Sequence, residues 1–155
     1  MLLLYPIIVS QIKGAIQFCD EECCGFLFGL EEEGKVRTIT ATMSAKNVSA
    51  VNKRKTFEIS PEDYIDAESF ASQNKLKLLG VYHSHIDYPA TPSEYDRVAA
   101  QPYFSYLILS VVENQVEAMR SWTLNDDFKF EEESISIINI NQHINGYSNH
   151  SNSAA

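Results

Sequence analysis

The sequence predicts an α/β fold in which a mixed central β-sheet is flanked by helices. Two observations support this class. Runs of strand length, rich in β-branched and aromatic residues, alternate with stretches whose apolar residues recur at helical spacing. The last strand-like runs then follow one another without a helix between them, which predicts antiparallel neighbours. The 155 residues suffice for one domain, expected over residues 1–140, with residues 141–155 as a polar, disordered tail.

The beginning of the chain predicts a helix and then a hairpin. Apolar side chains recur at helical spacing over residues 6–19, and Pro6 suits a first helical turn. Residues 22–30 form a mostly apolar run that predicts a central strand, in which Gly25 marks a close backbone approach. The Val, Ile and Thr content of residues 36–42 predicts the antiparallel partner of that strand.

A short strand, a second helix and a buried strand are expected next. Residues 56–59 have the composition of a short strand. Ser60 is a capping residue, and Pro61 with the acids after it suits a first turn, so a helix should run to about Asn74. Residues 78–82 are apolar throughout, which predicts a buried strand.

The second half of the chain predicts one more helix and several strands. A short helix is expected over residues 93–101. Residues 106–112 predict a buried strand, and residues 116–124 predict its hairpin partner. Residues 128–130 and 134–137 alternate in the way that strands do.

The charge of the chain excludes some partners. The net charge is −9, and the acidic clusters predict solvated faces or hairpin tips. Nucleic acid binding requires a basic footprint, which the sequence lacks, so nucleic acid is not expected as a partner. The apolar start, residues 1–9, is too short to span a bilayer and has no basic leader, so we expect a cytoplasmic protein with no membrane partner.

Of the three cysteines, Cys19 is expected on the apolar face of the first helix, and Cys23 and Cys24 are expected to pack in the core. Adjacent residues of a strand point to opposite faces, so Cys23 and Cys24 are poorly placed to bridge each other. An odd count in a chain of this size does not indicate a secreted disulfide scaffold. No local feature marks Cys23 or Cys24 as an activated nucleophile, so core packing is favoured over that alternative.

Residues 78–96 carry the strongest chemical signal. His83 and His85 are two residues apart at the end of a predicted strand, so both imidazoles should point to the same face. Ser93 and Asp96 follow at the start of a helix, where Ser-x-x-acid is also a capping pattern. Two histidines and one aspartate offer three metal ligands and leave a fourth position for water, as in catalytic zinc sites. Histidines that merely pack at a strand end, and a pair of helix caps, are the structural alternatives.

The complete pattern resembles that of the JAMM (MPN-plus) metallopeptidases. It consists of His83-x-His85, seven further residues, Ser93, two residues and Asp96, and it is preceded by Glu22 in a Glu-x-x-Gly-apolar-apolar context. The resemblance implies a three-layer, deaminase-like fold and one Zn²⁺ per chain, held by the two histidines and the aspartate.

The same resemblance implies two catalytic roles. Glu22 would act as general base, and its neighbour Glu21 is the alternative, because consecutive strand residues face opposite ways. Ser93 would donate a hydrogen bond to the developing oxyanion. Ile86 departs from the family pattern, which commonly has proline there, so the conformation of the following loop is not settled by the resemblance.

The implied activity is hydrolysis of an amide bond after the C-terminal Gly-Gly of a ubiquitin-like or sulfur-carrier protein. The short chain is most like the compact prokaryotic members of the family. Two alternatives remain open: a non-catalytic MPN scaffold, and a zinc hydrolase of small peptide or amino-acid conjugates. The scaffold would be marked by loss of a ligand or of the base, and all are present. The His-Glu-x-x-His signature of other metallopeptidases and the nucleobase deaminase signature are both absent from the sequence.

Overall fold

The structure is a computed structural model that describes residues 1–139. The predicted tail, residues 141–155, lies outside the described residues. Within them the chain forms eight strands and three helices. In chain order these are β1 (Leu2–Leu4), α1 (Pro6–Ile16), β2 (Cys24–Glu32), β3 (Val36–Ala45), α2 (Pro61–Gln73), β4 (Lys77–Ile86), α3 (Glu94–Ala99), β5 (Ser105–Val112), β6 (Gln115–Leu124), β7 (Phe130–Glu133) and β8 (Ile135–Ile137).

The strands form one mixed sheet in the order β7-β6-β5-β4-β2-β3-β1-β8. Strands β4 and β5 are parallel, and β1 is parallel to both β3 and β8, while the other pairs are antiparallel. The predicted α/β class with a mixed central sheet is therefore confirmed.

Helices cover both faces of the sheet, which produces the three expected layers. Helix α1 buries Ile8, Ile12 and Ile16 in a cluster that includes Leu27 of β2 and Tyr82 of β4. Helix α2 buries two alanines in a second cluster on the opposite face of the sheet. The strand residues of this cluster alternate along the chain with those of the first cluster. Members of that second cluster are Ala67, Ala71, Phe26, Phe28, Val81 and Ile108.

Glycine at position 25 is required by packing. A Cβ atom there would lie 2.4 Å from the Tyr82 hydroxyl and 2.5 Å from the Met43 carbonyl oxygen. Real Cβ atoms do not approach other atoms so closely, and both neighbours belong to adjoining strands. The predicted close approach at Gly25 is confirmed.

One predicted strand is wrong, and one strand was not predicted. Residues 56–59 have no strand partner, because the side chain of Asn47 takes that place: it accepts from the Glu58 N–H at 3.2 Å and donates to the Thr56 carbonyl at 2.9 Å. Strand β1 was not anticipated, since three apolar residues at the start of a chain show no alternation. Its Leu2 and Leu4 are fully buried.

Strand β4 continues further than predicted and includes both histidines. Ile86, which replaces the family's proline, lies opposite Val111 in the parallel ladder. The chain then turns at Asp87, which has a φ of 61° and donates its N–H to the Val111 carbonyl. The departure at Ile86 thus leaves the strand regular to its last residue.

The packing expectation is confirmed for Cys24 and for Cys23, which packs against the core. The disulfide of Cys23 was not predicted, and Cys19 lies beyond the end of helix α1. Cys24 is buried in the core, whereas Cys19 and Cys23 form a disulfide. Helix α1 ends at Ile16 instead of Cys19, and the following turn brings the Cα atoms of Cys19 and Cys23 to 6.4 Å. That distance suits a bridge. Only the adjacent pair had been considered from the sequence.

Among residues 1–139, no helix combines the length and the hydrophobicity that crossing a bilayer requires.

Candidate metal centre

The two histidines lie side by side at the C-terminal end of β4. His83 and His85 have the same parity as Val81, so they point to the sheet face that α2 covers. Strand β4 is paired on both sides, with β2 and β5, which holds its backbone rigidly. Both imidazoles are fully buried.

Three donor atoms from these residues and Asp96 converge on one point. The Nε2 atoms of His83 and His85 are 3.0 Å apart, and Asp96 Oδ2 lies 3.4 Å and 3.3 Å from them. Ligands of a tetrahedral zinc ion lie about 2.0 to 2.1 Å from the metal, and hence roughly 3.3 to 3.4 Å from each other. The observed triangle has nearly these dimensions, so the three residues fit a zinc ion.

The orientation of His85 suits a ligand. Its Nδ1 lies 2.6 Å from the Pro89 carbonyl oxygen, which can only accept, so Nδ1 carries the proton. The Nε2 lone pair therefore faces the other two donor atoms. The ring is also stacked on Tyr88, with centroids 4.0 Å apart. His83 is stacked on Phe57 at 4.3 Å, and within residues 1–139 its Nδ1 has no hydrogen-bond partner.

Asp96 is held by the start of helix α3. The Ser93 N–H donates to Asp96 Oδ2 at 2.8 Å, and the Asp96 N–H donates to Ser93 Oγ at 3.0 Å, so the predicted capping box forms. The cap uses the Ser93 hydroxyl only as an acceptor, and no residue of the described part of the chain, 1–139, accepts its proton. Burial by itself would raise the pKa of Asp96, but His83, His85 and the Ser93 N–H hold that pKa well below its usual range. The carboxyl is therefore ionised, as a metal ligand must be.

The His83 imidazole experiences the opposite effect. Burial favours its neutral form, but the carboxylates of Asp96 and Glu22 raise the pKa of His83 above its ordinary value. Such an environment stabilises positive charge at the point where the three donor atoms meet.

Glu22 lies beside this cluster on an irregular segment, two residues before β2 begins. Its N–H donates to the Lys53 carbonyl at 2.8 Å, and its own carbonyl accepts from Asn47 Nδ2 at 3.0 Å. The side chain is fully buried, while that of Glu21 is only half-buried. The structure therefore places Glu22, and not Glu21, next to the three donor atoms.

The carboxyl of Glu22 is poised to exchange a proton. Burial raises the pKa of Glu22 to about 7, against lowering contributions from His83 and from the Tyr88 hydroxyl, which donates to Oε1. Oε2 is buried, and no described residue bonds to it. A carboxyl with a pKa near neutrality and a free oxygen suits a general base.

Two residues of the site, Tyr88 and Asn47, were not predicted from the sequence. Tyr88 links the metal-ligand residues to Glu22, because its ring is stacked on His85 and its hydroxyl donates to Glu22. It lies between the second histidine and Ser93, where the motif does not specify the residue. Asn47 supports Glu22 from a loop distant in sequence, and no local pattern marks such a contact.

Cys24, the alternative nucleophile, is chemically inactive here. Burial, with smaller contributions from nearby carboxylates, raises the pKa of its thiol to about 12. A thiolate is the reactive form of cysteine, so at neutral pH Cys24 acts as a small core residue.

Two cavities border the site on different sides. The larger, of about 710 Å³, includes Asp96 and is otherwise mainly apolar, with walls formed by Phe57, Ile59, Tyr64, Tyr95, Val98 and Tyr106. The second, of about 530 Å³, is lined by Arg54, Lys55, Ile86, Asp87, Tyr88 and Ser93. The larger cavity thus has mainly apolar walls that also carry the carboxylates of Glu58 and Glu94, whereas the second carries cationic side chains.

Comparison with known proteins gives consistent results. Residues 9–125 match the family described as prokaryotic homologs of the JAB domain. A desampylase of Pyrococcus furiosus is 31% identical over 112 residues, which are 72% of each chain. A desampylase of Haloferax volcanii is 33% identical over 99 residues, 63% of this chain and 68% of the relative.

Two solved structures share the fold. The solution structure of a protein from Desulfitobacterium hafniense superposes with a TM-score of 0.76 at 27% identity, covering 89% of this chain and 93% of that one. The solution structure of a protein from Salinibacter ruber superposes with a TM-score of 0.67 at 34% identity, covering 88% and 92%.

Proposed function

The chain belongs to the family of prokaryotic homologs of the JAB domain, and from that membership we propose that it is a zinc-dependent hydrolase of ubiquitin-like modifiers. The bond cut is the amide that follows the C-terminal Gly-Gly of a modifier or sulfur-carrier protein. The relatives named desampylases support this class of substrate.

The observation that carries the proposal is the convergence of three buried donor atoms beside a buried carboxyl group. His83 Nε2, His85 Nε2 and Asp96 Oδ2 lie within 3.4 Å of one another, and Glu22 adjoins them with one carboxyl oxygen free of protein partners among residues 1–139. A scaffold that only docks partners has no need for a buried base next to a metal site.

The residues then have separate tasks in hydrolysis. Zinc, when bound, supplies a Lewis acid that lowers the pKa of water from 15.7 to about 7. Glu22 takes a proton from the attacking water as the water oxygen bonds to the scissile carbonyl carbon. When the carbon–nitrogen bond breaks, Glu22 delivers that proton to the leaving nitrogen, so the base is regenerated.

Ser93 acts as the oxyanion donor in this proposal. Its Oγ accepts from the Asp96 N–H, so the hydroxyl is held in place while its own proton points elsewhere. A hydrogen bond from that hydroxyl to the carbonyl oxygen strengthens as negative charge develops, and the loss of such a donor typically costs about 3 kcal/mol of barrier.

The larger cavity supports a protein tail as the acyl part of the substrate. Its apolar wall runs from Phe57 and Ile59 to Asp96, so a chain lying along it would reach the three donor atoms. A Gly-Gly end has no side chains to clash beside the buried donor atoms. An extended tail with larger residues before the glycines would fill the remainder of the cavity.

The test combines zinc content with cleavage of a modifier that ends in Gly-Gly and is joined by an amide to a reporter. We expect about one zinc per wild-type chain and little in His85→Ala. Glu22→Gln should keep its zinc and lose turnover by roughly 10²- to 10⁴-fold. Glu21→Gln is the matched control, because it removes the same charge one residue away, and it should keep both.

Three results would contradict the proposal. Retained turnover in Glu22→Gln would show that Glu22 is not the general base. Equal zinc content in the wild type and His85→Ala would show that His85 is not a metal ligand. Cleavage of short amides without cleavage of the modifier conjugate would support the hydrolase of small conjugates instead.

A further inference from the structure

The smaller cavity is connected to the general base Glu22 through Tyr88. Tyr88 and Ser93 line it, and the Tyr88 hydroxyl donates to Glu22. Because Glu22 must hand its proton to the leaving nitrogen, the leaving group has to occupy the side of the site where Glu22 and Tyr88 lie. The apolar cavity adjoins Asp96 instead. The two parts of the substrate are thereby assigned to different cavities.

The cavity wall carries cations, although the protein as a whole is acidic. The chain has a net charge of −9 and only 12 lysines and arginines, yet three of them are consecutive at residues 53–55, and Arg54 and Lys55 face this cavity. The one acid in the lining is Asp87, which pairs with Arg54 at 2.8 Å. Within residues 1–139, Lys55 forms no ion pair. The lining therefore has a net positive charge.

The cationic turn is fixed relative to the base. The Lys53 carbonyl accepts from the Glu22 N–H at 2.8 Å. Asn52 holds the same turn, since its carbonyl accepts from the Lys55 N–H at 2.9 Å and its side chain accepts from the Arg54 N–H at 3.1 Å. The backbone that carries Arg54 and Lys55 is thus hydrogen-bonded to the segment that holds Glu22.

We propose that Arg54 and Lys55 select leaving groups that carry a free carboxylate next to the scissile amide. This inference rests on the proposed function and specifies its substrate class. In a leaving amino acid or its α-linked equivalent, the carboxylate is attached to the carbon that bears the leaving nitrogen. A guanidinium group can bind such a carboxylate through two parallel hydrogen bonds, and an ammonium group adds a second charge. In a lysine side-chain conjugate the carboxylate lies too far from the nitrogen to benefit.

The experiment uses one modifier with two leaving groups. The Gly-Gly end is joined to alanine with a free carboxylate or to alanine carboxamide, and kcat and KM are measured for both. We expect the wild type to prefer the carboxylate by about tenfold, the range of one charge-assisted hydrogen bond. The preference should lie mainly in KM and should decrease with added salt, because the cations are exposed.

The variants change the preference in opposite directions. Arg54→Gln with Lys55→Gln should abolish it by weakening only the carboxylate substrate. Asp87→Asn should increase it, since Arg54 loses its competing partner and asparagine tolerates the φ of 61° at this position. Lys77→Gln, at the opposite end of β4, is the control for net charge and should leave both substrates unchanged.

The outcomes separate this inference from the proposed function. Equal kcat/KM for the two substrates in the wild type, or a preference that survives in the double variant, would overturn the assignment of Arg54 and Lys55 while leaving the hydrolase intact. Cleavage of neither alanine substrate would overturn this inference, and the proposed function would fall with it only if the reporter conjugate also stays intact.

Discussion

The ligand half of the site and its base half are held by different kinds of structure. The ligand half consists of His83, His85 and Asp96, which lie on a central strand and on the first turn of a capped helix. The base half consists of Glu22 and Tyr88, which lie on irregular segments. The periodicity of a strand or a helix sets the direction of the ligand side chains, whereas the position of the base depends on contacts from distant loops.

The halves are nevertheless connected. The Ser84 N–H, between the two histidines, donates to the Cys23 carbonyl at 2.9 Å, and the Cys23 N–H donates to Ser84 Oγ at 2.9 Å. Tyr88 supplies the second link through His85 and Glu22. The comparison therefore predicts that changes in one half alter either zinc binding or turnover, but seldom both equally.

The largest effect is expected from a ligand. Asp96→Asn keeps an oxygen that can accept in the helix cap but loses the negative charge. Zinc affinity should fall by more than about 100-fold, because even residues that only support a ligand cost 10- to 100-fold. The measurement is zinc affinity by competition with a chromogenic chelator. Unchanged affinity would mean that the ligand half is not where the metal binds.

A large effect on the base half is expected from Asn47→Ala. The side chain is buried and bonds to the Glu22 and Thr56 carbonyls and to the Ser49 and Glu58 N–H groups. Its loss leaves buried polar groups without partners, at about 2 to 4 kcal/mol of unfolding free energy. Denaturant unfolding measures that cost, and turnover should fall while zinc content stays near one. Loss of zinc in proportion to turnover would contradict the division into halves.

The charge on Glu22 should be visible in the pH dependence of stability. In zinc-free protein burial raises the pKa of Glu22 from an ordinary value of 4.5 to about 7. Ionisation therefore opposes folding: no cost arises below pH 4.5, and the full cost, up to about 3 kcal/mol, is reached above pH 7.

Glu22→Gln removes this cost, so it should be more stable than the wild type at pH 8 and equally stable at pH 4. Urea unfolding of chelator-treated protein at both pH values is the measurement, with Glu21→Gln as control. A stability difference that is the same at both pH values would show that Glu22 does not titrate in this range.

The smallest effect is expected from the disulfide. Cys19→Ser opens a loop of only a few residues between Cys19 and Cys23, for which the chain-entropy model gives about 2 kcal/mol. Thermal unfolding of this variant should match that of the wild type with reductant, while zinc affinity stays unchanged. A variant as stable as the oxidised wild type would show that the bridge does not brace the base half.

The difference between the halves also explains which parts of the structure could be predicted. His83, His85, Ser93 and Asp96 follow local rules, since a strand repeats every two residues and Ser-x-x-Asp caps a helix. The short segment 56–59 shows the limit of such rules. Its composition favours a strand, but a strand needs a partner, and Asn47 occupies that position.

By itself, the sequence determined the α/β class, the position of both histidines on one face of β4, the cap that holds Asp96, and the family resemblance that selects Glu22. These features depend on the spacing of residues along the chain, because the regular geometry of strands and helices sets the direction of each side chain from that spacing. Only the tertiary structure decided that Cys19 pairs with Cys23, that Tyr88 bonds to Glu22, and that Arg54 and Lys55 line a cavity beside the base. The Tyr88–Glu22 contact joins segments distant in sequence, and the Cys19–Cys23 bridge, although its residues are only four positions apart, depends on the turn after helix α1. Packing of the whole chain, not local periodicity, produces both.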